Sequence, residues 1–204
     1  MRTRLLTATL IALGTALSAQ GAPAAPAVPA PGSQSPNVGD VPPDFTLTGA
    51  TRFGVLNRPV RLSDLKGETV VLAFFPKARS SGCTIQMKSY REKYAQLFHD
   101  GRHVTLLALS NDPADTLAAW AHDEDFNWVF LSDTGAAVGK KYGAYLARWN
   151  LDNRYLFIIG PDGKVAFRQT PFLETDPTAY TSLAAAVDKS APADAHANDG
   201  AVKE

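Results

Sequence analysis

The chain has 204 residues, 45% of them hydrophobic, which is enough for one domain with a full core and some flanking segments. Lys plus Arg and Asp plus Glu balance at 20 each, so no strong field points to nucleic acid or to an acidic membrane surface. A single cysteine excludes any disulfide framework within the sequence.

Residues 1–21 begin with Arg2 and Arg4, run through an apolar stretch from Leu5 to Leu17 and end on small residues. This is the design of a secretory signal peptide, too short to cross a bilayer as it stands, with an uncleaved anchor helix as the other reading. Its removal gives a secreted or periplasmic protein. Residues 22–38 carry five prolines and no charge, an extended Pro/Ala-rich linker. Residues 190–204 are polar, Ala-rich and expected to form a flexible tail. One folded domain is therefore expected over residues 39–189.

Within that domain the elements alternate. Phe45 and Leu47 suggest a short strand, and Val60 to Leu62 another, with Ser63 capping a helical turn. The apolar run Val70 to Phe75 reads as a central strand stopped by Pro76, which fixes φ and has no N–H for a ladder. After Gly82, Met87, Tyr90, Tyr94, Leu97 and Phe98 recur at helical spacing until Gly101. Val104 to Leu109 is a strand, and Ser110-Asn111-Asp112-Pro113 starts a helix with proline as its first residue. Leu117, Trp120 and Ala121 form the buried stripe of that helix. Trp128 to Leu131 is a further strand, and Ser132-Asp133 leads into a short helix ending near Gly143. Tyr155 to Ile159 and Lys164 to Phe167 flank Pro161-Asp162-Gly163, a hairpin signal. Asp176-Pro177 opens a last helix with Tyr180, Leu183 and Val187 on its inner face. Strands alternating with helices, closed by a hairpin and a helix, predict a mixed α/β sandwich. There is no internal repeat, Gly-rich phosphate loop or cluster of metal ligands.

Cys83 falls in the first turn of the helix that follows the central strand. Backbone N–H groups there lack helical partners and the helix dipole is positive, so both favour an anion. The thiolate is the nucleophilic form of cysteine. Ser80, one turn earlier, offers a hydroxyl to the sulfur or to an oxygen bound beside it. An ordinary reading stands next to this one, because a lone cysteine is often just a small buried hydrophobe.

Pro76-Lys77-Ala78-Arg79-Ser80-Ser81-Gly82-Cys83-Thr84 resembles the peroxidatic signature of peroxiredoxins of the AhpC/TSA superfamily. It is most similar to the bacterioferritin-comigratory-protein (PrxQ) subfamily, whose pattern is Pro-x-x-x-Thr/Ser-x-x-Cys. Gly39-Asp40-Val41-Pro42-Pro43-Asp44-Phe45-Thr46-Leu47 and Leu62-Ser63-Asp64-Leu65-Lys66-Gly67 extend the likeness, which runs from about Gly39 to Lys189. The resemblance implies a thioredoxin-like three-layer sandwich with a central mixed β-sheet. It implies a thiol-dependent peroxidase for hydrogen peroxide or organic hydroperoxides, without cofactor or metal.

By the same resemblance Cys83 is the peroxidatic cysteine, oxidised to sulfenic acid. Ser80 replaces the more usual threonine and bonds the peroxide, and Pro76 shields the sulfur. Arg154, before Tyr155-Leu156-Phe157, matches the arginine that faces the cysteine and substrate, and Gln86 takes the Glu/Gln position that orients it. Arg91 matches a second arginine in a supporting place. Read from composition alone, Arg154 and Arg91 are surface cations.

The departures are informative. The PrxQ helix often carries a resolving cysteine five residues after the first, where this chain has Lys88. This is then a one-cysteine variant. Its sulfenic acid needs an external thiol reductant, small or protein-borne, or a second copy in a homodimer. The loop Ala144 to Asn153 is shorter than expected, and Leu156 stands in place of threonine. Three rivals share the fold. A thiol–disulfide oxidoreductase of the thioredoxin or TlpA type needs Cys-x-x-Cys, but the sequence reads Cys83-Thr84-Ile85-Gln86. A Sco-like copper module would use Cys83 and Met87, on one helical face. An exported binding module with an inert thiol is the third.

Overall fold

The computed structural model describes residues 35–192. The expected leader, most of the linker and most of the tail lie outside the described residues.

Strand β1 (Thr46–Thr51) turns into β2 (Gly54–Val55), and β3 (Val60–Arg61) pairs with the first residues of β1. A 3-10 turn, Leu62–Leu65, leads to the central strand β4 (Thr69–Phe74). Then come α1 (Ser81–Glu92), α2 (Tyr94–Phe98), β5 (Val104–Ser110), α3 (Ala114–Asp123), β6 (Val129–Ser132) and α4 (Ala137–Lys141). The short strands β7 (Tyr145–Leu146) and β8 (Leu151–Asp152) pair with each other. The chain closes with β9 (Leu156–Ile159), β10 (Val165–Gln169) and α5 (Pro177–Ser190).

Among the described residues the main sheet has eight strands in the order β10-β9-β4-β5-β6-β1-β2, with β3 beside β1. Strands β4, β5 and β6 run parallel, whereas β9 is antiparallel to β4 and β1 to β6. The sheet is therefore mixed, as expected. All six residues of β4 are buried, which is what a strand covered on both faces requires.

Alternation along β4 assigns its two faces. Val71, Ala73 and Phe75 join the larger core cluster, with Met87, Tyr90, Phe98, Leu117, Trp120 and Leu183 from the helices α1, α2, α3 and α5. Val70, Leu72 and Phe74 join the smaller one, with Phe45, Leu62, Val138 and Tyr142. The larger cluster is rich in aromatic contacts. Trp120 meets Phe75, Phe126 and Phe130, and Tyr90 meets Phe98, Phe172 and Tyr180. Rings at such separations add to the area they bury.

Three local expectations need correction. The helix after Gly82 does not run unbroken toward Gly101. Lys93 leaves helical geometry (φ −114°, ψ 23°), and a second helix and a 3-10 turn, His99–Gly101, follow. The break lets Tyr94 stack on Trp128 (6.0 Å, 11° between planes) while Leu97 and Phe98 stay in the core. Pro113 is the N-cap of α3 and not its first helical residue. Ser63 lies inside its 3-10 turn, and its N–H donates to Asp44 Oδ1 at 3.0 Å. The start of α5 is as read: Asp176 Oδ1 accepts the Thr178 N–H at 2.8 Å, with Pro177 as first helical residue.

Candidate active site

Beyond β4, Phe75 still donates its N–H to the Leu109 carbonyl, and Pro76 then bends the chain out of the sheet. The loop to α1 is short and tight. Arg79 takes a left-handed conformation (φ 64°), which costs a non-glycine residue about 1 kcal/mol. Anchors from the β5–α3 end hold it there. Asp112 Oδ2 accepts the Ala78 N–H at 2.7 Å and the Ser110 hydroxyl at 3.0 Å, and Lys77 Nζ lies 2.9 Å from Oδ1. Arg79 pairs with Asp123 on the last turn of α3. The Asp112 side chain is 1% exposed, so its bonds to Ala78 and Ser110 are made away from water, whereas Lys77, Arg79 and Asp123 are exposed.

This loop delivers Cys83 as the third residue of α1, with Ser80 as N-cap. The sulfur is fully buried and unpaired with any other cysteine. Arg154 Nη1 donates to it at 3.5 Å, and the same nitrogen donates to Gln86 Oε1 at 2.6 Å. Gln86, one turn after Cys83 and fully buried, donates from Nε2 to the Tyr90 hydroxyl at 2.8 Å. Burial pushes the Tyr90 phenol far above its ordinary pKa, so it stays a neutral hydrogen-bonding group. The other edge of the guanidinium, Nε, meets Glu174 Oε2 at 3.0 Å.

The antiparallel pairing of β4 and β9 explains how Arg154 reaches Cys83. Ala73 is opposite Leu156, and the Phe74 N–H bonds the Tyr155 carbonyl at 2.8 Å. The residue just before β9 therefore lies beside the segment just after β4. Leu156, where the resemblance expects threonine, is fully buried in the same cluster as Cys83.

Cys83, Arg154 and Gln86 thus come together. The Ser80 hydroxyl is near by sequence but donates to the Lys77 carbonyl at 2.8 Å and not to the sulfur. Pro76 sits half-buried in the bend. Arg91 is elsewhere: Nη1 donates to the Glu124 carbonyl at the end of α3, and its guanidinium lies over Phe126. Lys88, at the resolving-cysteine position, pairs with Glu124 Oε2 at 3.0 Å. Met87 is fully buried in the core with Cys83. Among the described residues no group of three or more His, Cys, Asp and Glu side chains could hold a metal ion. An open apolar hollow floored by Leu62, Leu65, Val70 and Ile159 lies at the far end of β4 from the sulfur.

Sequence reading missed Glu174 and Asp112. Asp112 carries a signal, the Ser-x-Asp-Pro pattern, which by itself points only to the start of a helix. Glu174 carries none, because its partner lies on another segment.

The sequence matches the model of the AhpC/TSA family over residues 38–168. The chain belongs to the AhpC/TSA family. Peroxiredoxin Bcp of Escherichia coli (strain K12) is 30% identical over 133 residues, 62% of this chain and 81% of the relative. Peroxiredoxin Q, chloroplastic, of Sedum lineare is 32% identical over 128 residues, 62% of this chain and 65% of that protein. Among solved structures, peroxidoxin BcpB from Mycobacterium tuberculosis superposes with a TM-score of 0.64 at 25% identity, covering 76% of this chain and 97% of its own. In this AhpC/TSA chain the sandwich is the thioredoxin-like fold of that neighbour, and the Pro76-to-Cys83 loop lies inside the matched region.

Proposed function

We propose that this peroxiredoxin is a one-cysteine thiol peroxidase in which Cys83 attacks the peroxide, Arg154 and Gln86 orient the reacting groups, and an outside thiol restores the sulfur. The observation that supports this most is the Arg154 guanidinium, 3.5 Å from the only cysteine in the sequence. Family membership makes the chain a thiol-dependent peroxidase.

The thiolate attacks one peroxide oxygen, and the O–O bond breaks. Sulfur loses two electrons and becomes sulfenic acid, while the leaving oxygen takes up a proton as water or alcohol. Arg154 supplies fixed positive charge where negative charge moves along the breaking bond, and Gln86 holds that cation in place. Ser80 hydrogen-bonds the incoming peroxide once its hydroxyl turns from the Lys77 carbonyl, and Pro76 limits water at the sulfur. Arg91 supports the site indirectly, by tying α1 to α3 through Glu124. An external thiol then condenses with the sulfenic acid, releasing water, and a second thiol frees Cys83. A homodimer joined through Cys83 is the other route. The pattern of residues 1–21 supports export, so the reductant belongs to the secreted or periplasmic space.

Stopped-flow mixing of the reduced full chain with hydrogen peroxide tests this reading. The expected result is stoichiometric sulfenic acid on Cys83, formed far faster than on a free small thiol, with Cys83→Ser silent. A rate no faster than the free thiol overturns it.

A further inference from the structure

The Glu174–Arg154 pair is built more firmly than a surface ion pair. Glu174 and Arg154 side chains are 23% and 11% exposed. The backbones that carry them are joined. The Phe172 N–H donates to the Arg154 carbonyl at 2.6 Å, and the Tyr180 hydroxyl donates to the Glu174 carbonyl at 2.8 Å. The loop before α5 is therefore fastened at both ends of the short run that presents the carboxylate.

That carboxylate also lies against the first turn of α1. A Cβ on Gly82 would fall 2.7 Å from Glu174 Oε1 and 3.0 Å from Arg154 Nη2. Glycine at position 82 leaves room for the pair directly beside Cys83. Negative charge at a helix N-terminus is favoured by the dipole, so the location suits a carboxylate. It suits an anionic substrate equally well, and the two would compete.

The division of labour on the guanidinium is specific. Nε serves Glu174, while Nη1 serves both Cys83 and Gln86. Gln86 is a neutral amide and cannot balance the arginine. Glu174 is the carboxylate ion-paired with it.

Resting on the reading of Cys83 as the reactive sulfur, we infer that Glu174 is a positioning and specificity-determining residue. Its carboxylate grips Arg154 by one edge so that Nη1 faces the sulfur, and it cancels the cation toward solvent, so the site favours uncharged peroxides over anionic ones.

The test compares the wild-type chain with Glu174→Ala, Glu174→Gln and Glu174→Asp in stopped flow. The probes are hydrogen peroxide and the peroxymonosulfate anion. With the second probe the sulfur takes the outer peroxide oxygen, and sulfate leaves with the electron pair of the O–O bond. Glu174→Ala is expected to react about tenfold more slowly with hydrogen peroxide, because the guanidinium loses its register. Glu174→Asp recovers most of that loss. Glu174→Gln keeps the shape without the charge, and its rate ratio of peroxymonosulfate to hydrogen peroxide rises about fivefold. A Glu174→Ala rate within about twofold of wild type, or an unchanged ratio in Glu174→Gln, overturns the inference. A slow Glu174→Ala chain that Asp does not rescue marks a purely structural role and overturns it too. If the wild-type chain itself reacts no faster than a small thiol, the reading of Cys83 has failed instead, and the two failures are distinct.

Discussion

Arg154 Nη1 lies 3.5 Å from the Cys83 sulfur although 71 residues separate them in sequence. Both residues sit at one end of a strand pair: β4 ends there and antiparallel β9 begins there. The register of that pairing, not any local feature of either segment, brings the cation to the thiol.

The planar fork of Arg154 serves Cys83, Gln86 and Glu174 together, which a lysine ammonium cannot do in the same geometry. Arg154→Lys is expected to slow oxidation of Cys83 by hydrogen peroxide about 100-fold or more. The fully buried Gln86 oxygen or the Glu174 carboxylate is then left short of a donor, so the variant should also lose about 1–3 kcal/mol of stability. Stopped-flow rates at several peroxide concentrations check the first point and calorimetry the second.

Tyr90→Phe removes the acceptor of the Gln86 amide in a fully buried place. An orphaned buried donor costs about 1–3 kcal/mol. The urea midpoint should fall accordingly. The peroxide rate should fall as well, because the Gln86 amide is then free to rotate and present nitrogen to Arg154. Equal midpoints for the two proteins would show that the bond is of no consequence.

Asp112 ties the loop between Pro76 and Ser80 to the end of β5. Asp112→Ala leaves the Ala78 N–H and the Ser110 hydroxyl without their partner, for a cost of about 2–4 kcal/mol. Hydrogen exchange at the Ala78 amide should accelerate more than exchange in β4. Asp112→Asn, which keeps an oxygen for the same donors, should lose less.

Asp152 gives the pH dependence. It is fully buried, neither carboxylate oxygen has a hydrogen-bond partner among the described residues, and the place of a Cβ on Gly139 is taken by Oδ1. Burial, and then the charge of Asp133, push its pKa up to about 7 from 3.8. Asp133 in turn accepts N–H bonds from Ala137, Val138 and Gly139 at the start of α4. The folded state therefore holds a proton on Asp152 that the unfolded chain releases between about pH 4 and pH 7. Stability falls as pH rises through that window, and the penalty is complete above it. Asp152→Asn should be more stable than wild type at pH 8, by roughly 2–4 kcal/mol, with the advantage gone near pH 4. Urea titrations at both pH values check this. An advantage that is the same at pH 4 and pH 8 would point to packing instead.

The sequence by itself determined the alternation of strands and helices, the buried stripes of α3 and α5, and the placement of Cys83 in a first helical turn after Pro76. These depend on spacing, proline and capping, which act over a few residues. It also carried the family resemblance, and with it Arg154 and Gln86. Only the tertiary structure decided the break at Lys93, which serves the stacking of Tyr94 on Trp128. It alone turned Asp112 toward Ala78, Arg91 toward Glu124, and Glu174 toward the outer edge of Arg154. Each of these is a side chain meeting a partner on a distant segment, and no periodicity within one segment records a contact that depends on how two segments pack.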